Sequence, residues 1–367
     1  MDQPPDIDKI YCPNKNCPDF SILGKDNIAV RGKYGKNKDK ILFYCRTCGH
    51  RFGQTHGSAL FGAQIDPETI RSIIHHAAEG VSVRSTARLL NIDKSTVNRI
   101  ILRVGGHCSK ILSNLLRSIY MTEVQLDEFW SFVKKKETSK IEKEKRYEGA
   151  TGVWTGLDVN TRLLISSWVG GHELEDARKM VIDLISRIEG EKPLIVSDEL
   201  PHYATILKEI FHSLTPFPPI GKPGRPKAPI KVIDKDIIYA TVKKTRKKNK
   251  IIKIERKLIY CSNDQLNKKL ISSDSFTINT SFIERSNGLW RLWDAYLARK
   301  CCTFAKNIEL FKAKLAICHA SYNFIRPHGT LSTRNSHSFN PITPAMAAKI
   351  TDHIWTYDEL IRKCLLA

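Results

Sequence analysis

The sequence predicts a multidomain protein: a cysteine-stapled β module, then a helical module, then an α/β domain that carries a basic β insertion. Three observations lead there. Two close cysteine pairs fall within the first fifty residues. A helical pattern with good capping residues follows over 66–105. From about residue 120, apolar strand-like runs take over, and acids are set into them.

The chain of 367 residues is long enough for two or three domains. Hydrophobic residues make up 41% and charged residues 26%, which fits packed cores and excludes wholesale disorder. The formal charge of +21 is a statement about partners, and the partner it fits is a polyanion. No apolar run reaches 18 residues and no N-terminal signal pattern is present, so nucleic acid is favoured over a membrane. A cytoplasmic protein is expected.

Cys12 and Cys17 are separated by four residues, and Cys45 and Cys48 by two. The contexts YCPNKNCPDF and FYCRTCGHRF place each pair in a tight turn of Pro, Asn or Gly. Two such turns aim four thiolates at one point, which predicts a structural zinc ribbon over residues 1–62. His50 and His56 are alternative ligands, but four cysteines already close the site and leave no open position for chemistry. Between the pairs, IAVRGKY and ILFYC read as a hairpin around a lysine-rich turn. The other six cysteines (Cys108, Cys261, Cys301, Cys302, Cys318, Cys364) show no ligand spacing and read as core or surface thiols.

Residues 63–118 read as a helix-turn-helix domain. Asp66-Pro67 starts the first helix, as a capping acid before proline. Ser82 or Ser85 caps a short helix containing Ala87, Leu89 and Leu90, and Asn91-Ile92-Asp93 makes the turn. Asp93 then caps a helix that buries Val97, Ile100 and Ile101. Lys94, Ser95, Thr96, Asn98, Arg99 and Arg103 are left outward, a set suited to base edges and phosphates.

Residues 119–335 read as an α/β domain. EVQLDEFWSFV, GATGVWTGLDV and RLLISSWVGG are strands, HELEDARKMVIDLISRIEG is an amphipathic helix, and PLIVSDEL is a buried strand ending in an acid. Three strands, a helix and a strand is the order of a ribonuclease H-like fold, in which the first and fourth strands are neighbours. Asp127 in the first strand and Asp198 at the end of the fourth would then meet. Paired carboxylates in an apolar sheet raise each other's pKa unless a hard divalent cation joins them. A third acid is expected from a later helix, and TSFIERSNGLWRLWDAYLARK supplies Glu284, with Arg285, Asn287 and Arg291 at hand for phosphate. Each acid has rivals: Glu128, Glu199, Asp158 and Asp294.

These pieces together resemble the insertion sequence 1 family of prokaryotic transposases. The resemblance is carried by CxxxxC…CxxC, the helix-turn-helix, LDEFWSFV, IVSDELPHYATIL, ERSNGLWRLWDAYLARKCCTFAKNIELFKAKL and SYNFIRPHGTL, and it covers roughly residues 10–335. It implies binding of transposon terminal inverted repeats, DNA cleavage at the ends and strand transfer by two-metal chemistry. It assigns the catalytic, Mg²⁺ (or Mn²⁺) binding triad to Asp127, Asp198 and Glu284, and implies a homo-oligomer, such as a dimer, on double-stranded DNA in a prokaryotic, nucleoid-associated setting. Eighty-five residues separate Asp198 from Glu284, a longer gap than in compact members.

Within that gap, residues 216–257 hold fourteen Lys or Arg against three acids. A Pro-rich piece, PFPPIGKPGRPKAP, precedes two strands around a very basic turn. The stretch 216–275 is read as an inserted β element that grips DNA backbone through Arg225, Lys243, Lys244, Arg246, Lys247 and Lys248. Residues 336–367 are read as a helical tail. Two other functions remain open from the sequence: an inactive, sequence-specific DNA-binding regulator, and an RNA nuclease that would leave the helix-turn-helix idle.

Overall fold

The computed structural model describes residues 6–35, 40–134, 149–215, 229–248, 250–298, 303–334 and 339–364. At the N-terminal end, β1 (Ile28–Tyr34), β2 (Lys40–Cys45) and β3 (Arg51–Gly53) form an antiparallel sheet in that order. The apolar core beneath it is small: Cys12, Cys17, Cys45, Ile28, Phe43 and Phe52 are its buried members. So little buried area needs a staple.

Three capped helices follow. Asp66 accepts from the Thr69 amide at the start of α1 (Pro67–Ala78). Ser82 accepts from Ser85 N and caps α2 (Val83–Leu89). Asp93 accepts from Ser95 N at 2.7 Å and caps α3 (Lys94–Leu115). At 22 residues, α3 runs well past Gly105, where the sequence pattern ends.

The main sheet is built from β4 (Glu123–Val133), β5 (Gly149–Asp158), β6 (Leu164–Gly170), then α4 (Leu174–Ile185), β7 (Leu194–Asp198) and α5 (Pro201–Ile210). A small ribbon, β8 (His212–Thr215) with β9 (Ile230–Ile233), stands apart from it. The sheet resumes with β10 (Ile238–Lys247) and β11 (Lys250–Tyr260), and is followed by α6 (Asn263–Ile271), α7 (Ser281–Trp293) and α8 (Ile308–Ala320). The six strands are ordered β11-β10-β7-β4-β5-β6. β5 runs antiparallel to both its neighbours, β4 and β6, whereas β7 runs parallel to β4, and β10 parallel to β7.

The basic stretch therefore differs from a free-standing insertion. The first strand of its hairpin, β10, lies inside the sheet, with Tyr239 and Ala240 fully buried. The reason is visible in the residues: Ile237–Val242 is a nearly continuous apolar run, as a strand covered on both faces requires. The lysines begin at 243, just after the last pairing with β7. Arg225 and the surrounding Pro-rich piece lie outside the described residues.

One apolar cluster runs from Ala59 and Leu60 through α1 and α3, under the sheet at Val124, Leu126 and Ile195, through α8 at Ile317, to Leu360 and Ile361. The last two belong to α10 (Tyr357–Arg362), which follows α9 (Pro344–Ala347) in the tail. Arg71 of α1 pairs with Asp358 of α10 at 2.7 Å. The helical module, the sheet and the tail thus share a core. A second cluster, on the other face of the sheet, joins Phe129, Val153 and Leu157 to Ile283 and Trp290 of α7 and to Phe311 and Leu315 of α8. Apolar on more than one face, α8 gives Ala313, Ala316 and Ile317 to the first cluster and Phe311, Leu315 and Cys318 to the second.

The tightest contact between modules is α3 against α8. A Cβ on Gly105 would lie 2.4 Å from the Ala313 carbonyl oxygen, whereas one on Gly106 meets open space. Gly105→Val is expected to destabilise the protein by about 1–3 kcal/mol through overpacking. Gly106→Ala is expected to stabilise it by up to about 1 kcal/mol through helix propensity. Thermal melts of the two variants check both signs.

Candidate active site

Strand register brings the first two acids together. Along the parallel pair, Glu123 lies opposite Leu194, Val124 opposite Ile195 and Gln125 opposite Val196. Two residues further, that register sets Asp127 against Asp198, which closes β7. The carboxylates meet where the ladder ends and the strands part. Oxygens of Asp127, Glu128 and Asp198 lie within 4.8 Å of one another.

Asp127 and Glu128 reach this point from opposite faces, since side chains alternate along a strand. Asp127 faces α7: its Oδ2 accepts from Asn287 Nδ2 at 2.8 Å, and its Oδ1 from the Glu128 amide at 2.9 Å. Asn287 is buried and also accepts from Thr155 Oγ1, which in turn bonds the Asp127 carbonyl. Glu128 lies beside the buried Tyr203 of α5, and its Oε2 is buried without a hydrogen-bond partner among the described residues. Asp198 accepts from the Leu200 amide at 3.1 Å.

Crowding raises all three acids. Burial, then the charge of Asp198, pushes Asp127 up to about 7. Burial, then Asp198 and Asp127, pushes Glu128 up to about 8. Asp198 is raised mainly by burial, with Glu284 and Glu199 adding to it. No lysine or arginine among the described residues pairs with any of the three. Their flanking acids do have cations: Glu199 is held by Lys243 at 3.1 Å and Lys257 at 2.9 Å, and Glu284 by Lys244.

Glu284 sits exposed in the first turn of α7, outside the close set of three. Its Oε1 accepts from Thr280 Oγ1 at 2.6 Å and from Lys244 Nζ, which also donates to Thr280. Its charge nonetheless raises both Asp127 and Asp198, so it faces the same space. The remaining rivals have other duties. Asp158 closes a turn, accepting from Thr161 N and Oγ1. Asp294 is fully buried against Lys314 at 3.3 Å.

Of the basic residues picked from sequence, Arg246, Lys247 and Lys248 lie at the end of the β10–β11 hairpin and pair with no described acid. Lys243 and Lys244 are turned instead to Glu199 and Glu284. Arg285 is exposed on α7, while Arg291 is half-buried over the Phe129 ring. On α3, Lys94, Ser95 and Arg99 lead the outward face, with Thr96 and Asn98 half-buried beside them. Arg103 donates to the Phe61 carbonyl at 2.5 Å and so ties α3 to the segment before α1. Sequence reasoning ranked Glu128 only as a rival of Asp127 and took Asn287 for a phosphate contact. Two consecutive acids inside an apolar strand are the signal for the first; for Asn287 the sequence carries none.

The four N-terminal cysteines form the second cluster. Their sulfurs lie within 4.8 Å of one another, with Cys12–Cys48 at 3.6 Å and Cys17–Cys45 at 3.8 Å. A tetrahedron with metal–sulfur bonds of about 2.3 Å has edges of about 3.8 Å. Asn14 Nδ2 donates to Cys48 Sγ and Asn27 Nδ2 to Cys45 Sγ, the kind of outer contact that steadies a ligating thiolate.

Comparison with known families and with curated proteins finds no match. Among solved structures, similarity is found to the Mos1 strand transfer complex, at 13% identity over 40% of this chain and 55% of that chain, with a TM-score of 0.17. The Mos1 transposase paired-end complex with left transposon end matches at 13% identity over 40% and 57%, also at 0.17. The mariner Mos1 paired end complex with Mg matches at 13% identity over 40% and 59%, at 0.16. The matched stretch spans a little over half of the Mos1 chains.

The raised acids set a pH dependence. Unfolded, Asp127 ionises near pH 4; folded, near 7. Its contribution to stability is therefore fully present below about pH 4 and is lost as the pH rises to about 7. Asp127→Asn removes that loss. Without added divalent metal, the variant is expected to melt above the wild type at about pH 8, the gap shrinking towards pH 4. A variant melting below the wild type at the higher pH would contradict this.

Proposed function

We propose that the protein is a DNA transposase that binds the ends of its own element, cuts them and joins them to target DNA. The observation that carries this is a cluster of three acids that no lysine or arginine among the described residues neutralises. Asp127, Glu128 and Asp198 crowd and raise one another, and the flanking acids Glu199 and Glu284 take Lys243, Lys257 and Lys244. A donor set of hard carboxylate oxygens, one of them buried and unpartnered among the described residues, fits Mg²⁺ or Mn²⁺. The sheet order, with three antiparallel strands and then two parallel ones, supports the ribonuclease H-like reading.

In this reading Asp127 and Asp198 hold the ions and Glu284 completes the shell, as the resemblance to insertion sequence 1 transposases implies. The ions would supply activation of a water or 3′-hydroxyl and stabilisation of the leaving oxygen. The chain's own part is to place and orient. Asn287 fixes the Asp127 carboxylate by its Oδ2. Arg246, Lys247 and Lys248 offer DNA-backbone contacts at the hairpin end beyond the acids, and Lys94, Ser95 and Arg99 offer a reading face. The four cysteines are proposed to hold structural Zn²⁺, with no part in the chemistry. Joining two ends calls for a homo-oligomer.

The test is nicking and joining of DNA that carries the element's terminal repeats, with Mg²⁺. Asp127→Asn, Asp198→Asn and Glu284→Gln should each cut activity by at least about 100-fold while end binding is kept, since the amide loses the charge that holds the metal. Normal cleavage by all three would leave a DNA-binding regulator as the reading. Asp294→Asn is a poor control, because it strands the buried Lys314 charge.

Binding separates the two basic sets. Arg99→Ala should cost about 1–3 kcal/mol on cognate ends and little on random DNA. Removing Arg246, Lys247 and Lys248 should weaken binding to every sequence and flatten its salt dependence, by about 0.9 in slope for each phosphate left without its cation. Zinc analysis of the purified protein should find about one ion per chain, and Cys12→Ser or Cys45→Ser should lose it.

A further inference from the structure

We propose that Gln125 is the positioning residue for Glu284, acting as an N-cap delivered to α7 from another element; this rests on the metal-dependent reading above. The first turn of a helix leaves amide donors that its own N-cap side chain normally satisfies, chiefly those of the second and third residues. In α7 the N-cap residue is Thr280, and its side chain makes no capping bond. The Thr280 hydroxyl is spent on Glu284 instead. The orphan amides are Phe282 N and Ile283 N, and both donate to Gln125 Oε1 at 3.1 Å. Ser281 N is taken by Asn279 Oδ1.

Gln125 is itself held rigidly. It is fully buried on β4, and its Nε2 donates to Glu123 Oε1 at 3.0 Å and to Asn279 Oδ1 at 3.4 Å. Glu123, also fully buried, accepts from Ser273 and Ser275 just upstream of α7. Gln125 lies two residues before Asp127 and so on the same face of the strand. That makes two ties between β4 and α7: Gln125 to the amides at 282 and 283, and Asp127 to Asn287. Glu284 lies between them in sequence. The amide cap fixes how far α7 slides along β4, and with it the distance from Glu284 to the paired aspartates. A freed first turn would let Glu284 drift while Asp127 and Asp198 stayed in register.

The test uses the full-length protein without DNA and Mn²⁺ alone as probe, titrated by calorimetry. Gln125→Met keeps the volume but lacks the acceptor, and should weaken Mn²⁺ binding by about 10-fold, as loss of an outer-shell support does. Because Gln125 acts through Glu284, Gln125→Met in a Glu284→Gln background should add little further loss. Hydrogen exchange over 281–286 should quicken in Gln125→Met, and end binding should stay unchanged, which reports an intact fold. Losses that add in full, or unchanged Mn²⁺ affinity in Gln125→Met, overturn the assignment. If the wild type binds Mn²⁺ and nicks while the losses add, Gln125 alone is misassigned. If the wild type neither binds Mn²⁺ nor nicks, the enzyme reading falls, and this one with it.

Discussion

Two carboxylates placed side by side at the end of a parallel ladder cannot both ionise without help, and the rest of the site answers that constraint. The register of β4 against β7 dictates the meeting of Asp127 and Asp198 as firmly as it dictates the core contacts below them. Glu128 sharpens the conflict from the other face. No cation among the described residues neutralises the three. The lysines beside them are committed to Glu199 and Glu284, so the three acids are left to raise one another's pKa, a conflict that a hard divalent cation would relieve.

Preserving that centre places demands on packing. β4 is clamped by β5 on one side and β7 on the other, and its α7-facing side chains bind α7 at Gln125 and Asp127. α7 is in turn held by Ile283 and Trp290 in the cluster that α8 shares with the sheet. On its other side α8 packs so closely on α3 that only glycine fits at 105. The exposed start of α3 and the acid cluster are thus ends of one packed chain of elements. A DNA-reading face on α3 would stand at a fixed distance from the acids.

Much of this was legible in the sequence where the signal is local. Asp66, Ser82 and Asp93 marked helix starts because a side-chain oxygen before a helical run has one good use. The cysteine pairs were legible because ligand geometry is written in spacing. Asp198 was legible as an acid closing an apolar strand. What failed to show was set by distant partners. β10 looked like part of a basic insertion because its lysines dominate the composition, yet its first five residues fill the sheet. The pairing of Lys244 with Glu284 is invisible in the sequence because the two lie forty residues apart. Asn287 and Gln125 carry ordinary amides, and only the fold shows what each one holds.

The distribution of charge follows the same logic as the site. A net +21 spread evenly would draw DNA to any face. Instead, cations within reach of the acids are paired off, and Arg246, Lys247 and Lys248, with no described acid as partner, stand at the hairpin end beyond them. A DNA backbone drawn to that rim would meet a centre that repels phosphate as long as the carboxylates are ionised and bare. Divalent cations reverse the sign of that encounter. On the proposed reading, attraction to the rim is independent of metal and seating of the scissile phosphate depends on it, so binding and chemistry are separated by electrostatics before any conformational change is invoked.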